Sequence, residues 1–148
     1  MLPVEQRRIL GLDYGSRRIG ISISDPLRIV ATSYGILEHS RNLWKNLKEI
    51  IDQEDVEFVV VGMPLNLKGE KGQKAEEVAL FIEQLQTRCG IDVITWDERF
   101  TTSMARDSIM RMGTKKKGRQ NSRERIDAMA AAIMLQGFLD RKKHSLSC

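Results

Sequence analysis

Two strand-like segments near the N-terminus are separated by a connection of only a few residues. Residues 7–13 are mostly apolar and typical of a strand, and residues 19–24 alternate isoleucine with glycine or serine. Parallel strands need a crossover of a dozen or more residues, whereas residues 15–18 supply only a turn. The sequence therefore predicts an antiparallel hairpin at the start of the fold, with the isoleucines on one face.

After this hairpin, the apolar pattern alternates between the period of strands and the period of helices. Further strands are predicted at residues 29–37, 58–61 and 91–96. Helices are predicted at residues 41–54, 74–88, 102–112 and 122–141, and a basic loop at residues 113–121. Gly90 is well placed to end the second helix. This order predicts an α/β fold of the ribonuclease-H-like type, with a five-stranded mixed sheet flanked by helices and right-handed crossovers.

The last predicted helix has the most regular apolar spacing in the chain. Its predicted buried face consists of six side chains: Ile126, Met129, Ala130, Ile133, Met134 and Phe138. Asp127 lies at the edge of this face, beside small alanines that would let a neighbouring backbone approach closely.

Length and composition favour one soluble domain spanning residues 1–148. A chain of 148 residues buries roughly 70% of the surface of its unfolded form, which is enough for a core. No run approaches the roughly 20 apolar residues of a membrane span, and the N-terminal residues have no apolar signal segment. We therefore expect a cytoplasmic location. Only two histidines and two cysteines occur, without ligand spacing, so carboxylates are better candidates for chemistry than zinc or a Ser-His-Asp triad.

Positive charge is concentrated before and at the start of the last helix. Residues 111–125 contain seven basic residues and one acid, a net charge of +6 in a chain whose total is +4. A solvated loop explains this cluster as well as a phosphate-binding patch does. If the patch binds nucleic acid, the phosphate contacts are expected from six side chains: Lys115, Lys116, Lys117 and Arg119, with Arg17 and Arg18 in the first turn.

Three carboxylates occupy positions from which they could converge. Asp13 ends the first strand, Glu98 follows a later strand, and Asp127 lies in the last helix. Adjacent residues alternate faces, so only one of Asp97 and Glu98 can point into a given site, and we favour Glu98. Each acid also has a structural explanation: turn formation for Asp13, capping or pairing with Arg99 for Asp97 and Glu98, and the helix dipole for Asp127.

Convergence of the three acids would imply bound cations, because like charges brought together repel strongly. Divalent ions with oxygen ligands can activate a water and stabilise the departing oxygen of a phosphodiester. Asp13, Glu98 and Asp127 are therefore the predicted catalytic and metal-binding residues, with Mg²⁺ or Mn²⁺ as the expected ion.

Four motifs carry a resemblance to a known family. They are residues 11–20 (GLDYGSRRIG), 60–66 (VVGMPLN), 96–102 (WDERFTT) and 125–131 (RIDAMAA). In this order, over nearly the whole chain, they resemble the YqgF (RuvX-type) family of bacterial proteins. That family is described as Holliday-junction resolvases and as nucleases that process the 5′ end of precursor 16S ribosomal RNA. The resemblance implies a ribonuclease-H-like fold, with Asp13, Glu98 and Asp127 as the metal-binding acids.

The leading hypothesis is a metal-dependent endonuclease that acts on structured nucleic acid, with precursor 16S ribosomal RNA as the expected substrate. A Holliday-junction resolvase and a non-cutting RNA-binding module remain alternatives. Residues 13–16 also resemble the first phosphate loop of actin-like and sugar-kinase ATPases, but those enzymes need two such domains. No membrane partner is expected. A monomer or weak homodimer is expected, since cutting a junction symmetrically needs two copies and trimming one RNA end does not.

Overall fold

Five strands and three long helices make up most of the described part of the chain. The computed structural model describes residues 6–65, 68–70, 72–100, 107, 109–111 and 122–146. The strands are β1 (Arg8–Tyr14), β2 (Arg18–Ser24), β3 (Ala31–Glu38), β4 (Val56–Met63) and β5 (Asp92–Asp97). The helices are α1 (Leu43–Gln53), α2 (Gln73–Cys89) and α3 (Ser122–Leu146). No helix among the described residues is long and apolar enough to cross a membrane.

The strands form one mixed sheet in the order β3-β2-β1-β4-β5. β1 pairs antiparallel with β2, as the short turn predicts, and parallel with β4. β4 then pairs parallel with β5. These pairings confirm the predicted hairpin and the five-stranded mixed sheet of a ribonuclease-H-like fold.

Helices cover both faces of this sheet. Along β1, the side chains of Leu10 and Leu12 belong to the core under α1 and α2, whereas Ile9 belongs to the core under α3. Because side chains alternate along a strand, Asp13 lies on the α3 face and Tyr14 on the α1 and α2 face. The end of β1 therefore presents one side chain to each side of the sheet.

Both faces of β2 are buried, including the face that carries Gly20, Ser22 and Ser24. Ile19 and Ile21 pack under α1 and α2, while Ser22 and Ser24 are buried on the opposite face. The Ser22 hydroxyl donates a hydrogen bond to the Ala131 carbonyl oxygen of α3 at 2.8 Å. Small side chains on β2 thus allow α3 to pack directly onto the sheet.

The predicted buried face of α3 is wrong at its beginning. Ile126 is 63% exposed, whereas Ala128, Ala131 and Leu135 are buried against the sheet. Near the beginning of α3, where the helix lies closest to Gly20 and Ser22, only small residues such as Ala128 and Ala131 fit against the sheet, and larger residues are buried farther along the helix. Met134 and Phe138 are buried as predicted.

Other predicted elements agree with the structure to within a few residues. Gly90 adopts the left-handed conformation (φ 59°) at the end of α2, and its N–H donates to the Gln86 carbonyl. Residues 107 and 109–111 are helical, within the predicted helix at 102–112. The rest of that helix and the basic loop at 113–121 lie outside the described residues.

Candidate active site

The carboxyl ends of β1, β4 and β5 meet at one edge of the sheet. These three strands are mutually parallel, so their C-terminal residues lie side by side. Asp13 is the penultimate residue of β1. Glu98 follows β5 directly and begins a short 3-10 turn, Glu98–Phe100. This edge is the usual ligand-binding side of a parallel sheet, and it brings together two of the predicted acids.

Gly62 of β4 makes the approach of these two acids possible. A Cβ atom at Gly62 would lie only 2.6 Å from Glu98 Oε1, so a side chain there would displace the carboxyl group. With glycine in place, Glu98 lies over β4, and its carboxyl group is close enough to Asp13 on the neighbouring strand for the two to interact. Two carboxyl groups can share a hydrogen bond only when one of them carries a proton.

The environment of Asp13 favours that proton. Burial and the neighbouring Glu98 raise the pKa of Asp13 from its ordinary value of 3.8 to about 7, with a smaller contribution from Asp127. The ammonium group of Lys74, at the start of α2, acts in the opposite direction. Burial and the neighbouring acids therefore disfavour a second negative charge on the Asp13–Glu98 pair, and a bound cation would relieve this.

Asp127 approaches the same edge from α3 but has its own partner. Its Oδ2 accepts a hydrogen bond from Arg18 Nε at 2.9 Å, in a partly buried ion pair. Gly20 allows this approach, because a Cβ atom there would lie 2.1 Å from the Asp127 carbonyl oxygen. In the register of the sheet, Gly20 is the direct partner of Asp13. The backbone at Asp127 is thus in contact with the residue opposite Asp13.

The structure places Asp13 beside Glu98, whereas Asp127, the third predicted acid, is paired with Arg18. Among the described residues, no three acidic, histidine or cysteine side chains are near enough to one another to share one ion. Asp127 is close enough to influence the pKa of Asp13 but is paired with Arg18. The geometry is therefore that of a two-carboxylate site with a third carboxylate held beside it.

Asp97 belongs to a separate interaction. Its Oδ2 lies 2.5 Å from Arg99 Nη2, and hydrogen bonds from Arg99 lower the pKa of Asp97. The ion pair with Arg99 that the sequence allowed for either acid is thus formed by Asp97. This geometry favours Glu98 over Asp97 as the acid that faces Asp13.

The predicted phosphate-binding cations have different positions. Arg17 is exposed in the turn between β1 and β2, whereas Arg18 is partly buried in the ion pair with Asp127. Lys115, Lys116, Lys117 and Arg119 lie outside the described residues. Sequence reasoning missed Lys74, and the only available signal was a lysine directly at the start of a helix that follows a glycine-containing loop.

The sheet order, the helices on both faces and the carboxyl pair at the edge define a ribonuclease-H-like domain. Among solved structures, the chain is similar to "T. thermophilus RuvC in complex with Holliday junction substrate", with a TM-score of 0.60 and 13% identity. That match covers 93% of this chain and 97% of the other. A second structure of Thermus thermophilus RuvC matches with a TM-score of 0.57 and 14% identity, covering 92% and 96% of the two chains. At this low identity, the likeness concerns the fold alone.

A family model described as "RuvX: Holliday junction resolvase" matches residues 7–141, and the chain belongs to this family. A relative from Sulfurihydrogenibium sp. (strain YO3AOP1) is 38% identical over 140 residues, which cover 93% of each protein. A relative from Acetivibrio thermocellus is 40% identical over 139 residues, covering 91% of this chain and 96% of the relative. Both are named "Putative pre-16S rRNA nuclease".

Proposed function

We propose that this protein is a divalent-metal-dependent endonuclease that trims the 5′ end of precursor 16S ribosomal RNA. The observation that carries this proposal is the Asp13–Glu98 carboxyl pair at the edge of the sheet. Two neighbouring acids would repel the phosphate backbone of RNA. A protein that only binds RNA would therefore gain nothing from them. The names of the relatives, over nearly their full lengths, support the same activity and the RNA substrate.

The donor set of this edge fits a hard divalent cation. Mg²⁺ and Mn²⁺ prefer oxygen ligands, and the pair formed by Asp13 and Glu98 offers carboxylate oxygens where a proton now offsets their repulsion. When bound, such an ion would lower the pKa of a water and stabilise the charge on the leaving oxygen. Asp127 could join as a third ligand through its other carboxylate oxygen while Oδ2 keeps its hydrogen bond with Arg18.

The remaining residues orient the site and attract the polyanionic substrate. Arg18 offsets the charge of Asp127 through Nε, and the other donors of its guanidinium would be available to a phosphate. Lys74 and the exposed Arg17 add positive charge near the carboxyl pair. The basic segment that contains Lys115, Lys116, Lys117 and Arg119 provides a further electrostatic contribution, because clustered cations release counterions from a nucleic acid.

A Holliday-junction resolvase is the second candidate, and the description of the family model favours it. Both substrates present backbone phosphates to the same acids, so the difference lies in the shape of the nucleic acid and in the number of protein copies. Symmetric cleavage of a junction requires two active sites in a dimer, whereas a monomer is sufficient to trim one RNA end.

The two candidates are separated by a direct cleavage comparison. Purified protein is incubated with a precursor 16S ribosomal RNA fragment and with a four-way DNA junction, in Mg²⁺ and in Mn²⁺. We expect cleavage of the RNA near the mature 5′ end, loss of cleavage in excess chelator, and loss of cleavage with retained binding in Asp13→Asn. Asp92→Asn is the matched control, since Asp92 is exposed at the opposite end of β5.

Each result has a defined meaning. Faster cleavage of the junction than of the RNA would replace the ribosomal role with the resolvase role. Full activity of Asp13→Asn, or full activity in chelator, would contradict a metal mechanism at this site. Binding without cleavage by the wild type under every metal condition would favour the RNA-binding module.

A further inference from the structure

A pocket of about 330 Å³ opens on the face of the sheet opposite the carboxyl pair. It lies between the end of β1, the start of α1 and one face of α2. Its principal lining side chains are Tyr14, His39, Trp44, Glu77, Phe81 and Gln84. A volume of this size lies at the lower end of the range for small-molecule sites and is sufficient for one planar ring system.

The pocket begins one residue away from the proposed active site. Asp13 and Tyr14 are consecutive in β1, so their side chains point to opposite faces of the sheet at the same edge. A base in the pocket and a phosphate at the Asp13–Glu98 pair would therefore lie on opposite faces of the same sheet edge, and the strand between them would pass around that edge.

Four of the nine side chains that line the pocket are aromatic. The Tyr14 and Phe81 rings have their centroids 5.0 Å apart, and Trp44 meets Phe81 edge to face at 5.4 Å. The His39 ring packs against Tyr14 at 5.2 Å, and its Nε2 is hydrogen-bonded to the Gly15 carbonyl at 2.7 Å. This contact fixes the position of His39 at the rim. The aromatic groups provide flat apolar surfaces suited to a stacked ring.

Two of the polar side chains that line the pocket are on α2. Glu77 and Gln84 lie seven residues apart, on one helical face, and within the described part of the chain no hydrogen bond or ion pair uses either side chain. A carboxylate only accepts hydrogen bonds, so Glu77 disfavours a phosphate and favours a ring that carries N–H groups. Gln84 can both donate and accept.

We propose that this pocket binds one unpaired nucleobase of the nucleic-acid substrate, on a strand that passes around the edge of the sheet from the Asp13–Glu98 pair. This inference rests on the proposed function and adds a specificity element to it. Bases with an exocyclic amino group suit Glu77 best, because that group donates a hydrogen bond. Paired bases in a duplex cannot enter such a pocket, so the protein would select cleavage positions at which the strand is single and its bases are unstacked.

The test uses an RNA hairpin with an unpaired 5′ extension that contains the mapped cleavage position. Single abasic nucleotides replace each of the three nucleotides on either side of that position, and dissociation constants are measured in chelator. We expect one abasic position to weaken binding of the wild type by roughly 5- to 100-fold, the range for loss of one stacked base. The same position labelled with 2-aminopurine should lose fluorescence on binding.

Two α2 double variants provide a matched comparison. Glu77→Ala/Gln84→Ala removes one carboxylate and one amide from the pocket, whereas Glu76→Ala/Gln86→Ala removes the same groups from exposed positions outside it. Both variants change the charge equally. We expect the pocket variant to bind the intact RNA several-fold more weakly and to lose much of its response to the abasic nucleotide, while the control keeps both properties.

Trp44→Leu is a second pocket variant that removes an aromatic wall and leaves α2 intact. Its thermal unfolding is compared with that of the wild type, so that only folded protein enters the binding assay. We expect its response to the abasic nucleotide to fall as well. A response that is equal in the wild type, both pocket variants and the control would overturn the base-binding proposal, even if cleavage is normal. A wild type that neither binds nor cleaves the RNA would instead remove the proposed function on which it rests.

Discussion

Replacement of Asp13 by Asn should stabilise the metal-free protein, and this effect should grow with pH. In the folded protein the pKa of Asp13 is raised to about 7, whereas in the unfolded chain it returns to about 3.8. Between these values the folded state retains a proton that the unfolded state has lost. The free energy of unfolding of the wild type therefore falls as pH rises from about 4 to about 7, and then levels off.

The size of the effect follows from the same shift. Each pH unit in which one proton separates the two states changes the unfolding free energy by roughly 1.4 kcal/mol. Between pH 5 and pH 8, ionisation of the Asp13 carboxyl should lower the unfolding free energy of the wild type by about 2 to 3 kcal/mol. Most of this decrease should occur below pH 7. Asparagine has the same shape and no charge, so Asp13→Asn should not show this loss. Titrating groups that do not interact with Asp13 are common to both proteins and cancel in the difference.

Urea unfolding in chelator at pH 5, 6, 7 and 8 measures this difference. Asp13→Asn should become more stable relative to wild type by about 2 to 3 kcal/mol across this range, while Asp92→Asn should follow the wild type. Saturating Mg²⁺ should then raise the stability of the wild type at pH 8 and have little effect on Asp13→Asn. A difference between Asp13→Asn and wild type that does not vary with pH would refute the assignment of the buried proton to this pair.

Three further predictions concern metal affinity, packing and electrostatics. Mg²⁺ affinity, measured by calorimetry, should rise by up to about tenfold per pH unit below pH 7 and level off above pH 7, because ion binding displaces the Asp13 proton. An Mg²⁺ affinity that does not change with pH would contradict this prediction. Gly20→Ala should lower the unfolding free energy by about 1 to 3 kcal/mol, because the added methyl group would meet the Asp127 carbonyl oxygen. An unchanged urea midpoint would refute that contact. Neutralising Lys115, Lys116 and Lys117 should flatten the salt dependence of duplex RNA or DNA binding, by roughly 0.9 in slope per lost phosphate contact for B-DNA; an equal slope would exclude this segment from the interface.

The arrangement of the strands could be predicted because it depends on local distances. A turn at residues 15–18 permits only an antiparallel pair, and the continuous β-branched run of β4 requires burial on both faces. The proximity of Asp13 and Glu98 follows from the same reasoning, since both lie at the ends of parallel strands. Local sequence therefore predicted the hairpin and the five-stranded mixed sheet, and it placed Asp13 and Glu98 at the ends of strands.

Interactions between distant segments could not be predicted in the same way. Nothing near Arg18 in the sequence indicates that it pairs with Asp127, which lies 109 positions away. The exposure of Ile126 has a similar origin, because the buried face of α3 is determined by the glycines and serines of the strands beneath it. Gly62 leaves space for the Glu98 side chain, which comes from the turn after β5, so the need for glycine at this position depends on a distant segment.

The close contact between Gly20 and Asp127 limits how the site can adapt to different ions. With the helix backbone already at its nearest approach to the sheet, α3 cannot move inward to follow a smaller ligand sphere. Any adjustment by Asp127 would therefore come from rotation of its side chain, whose Oδ2 is bonded to Arg18. The choice between two divalent metals would then depend on the torsional freedom of these two side chains rather than on any movement of the scaffold.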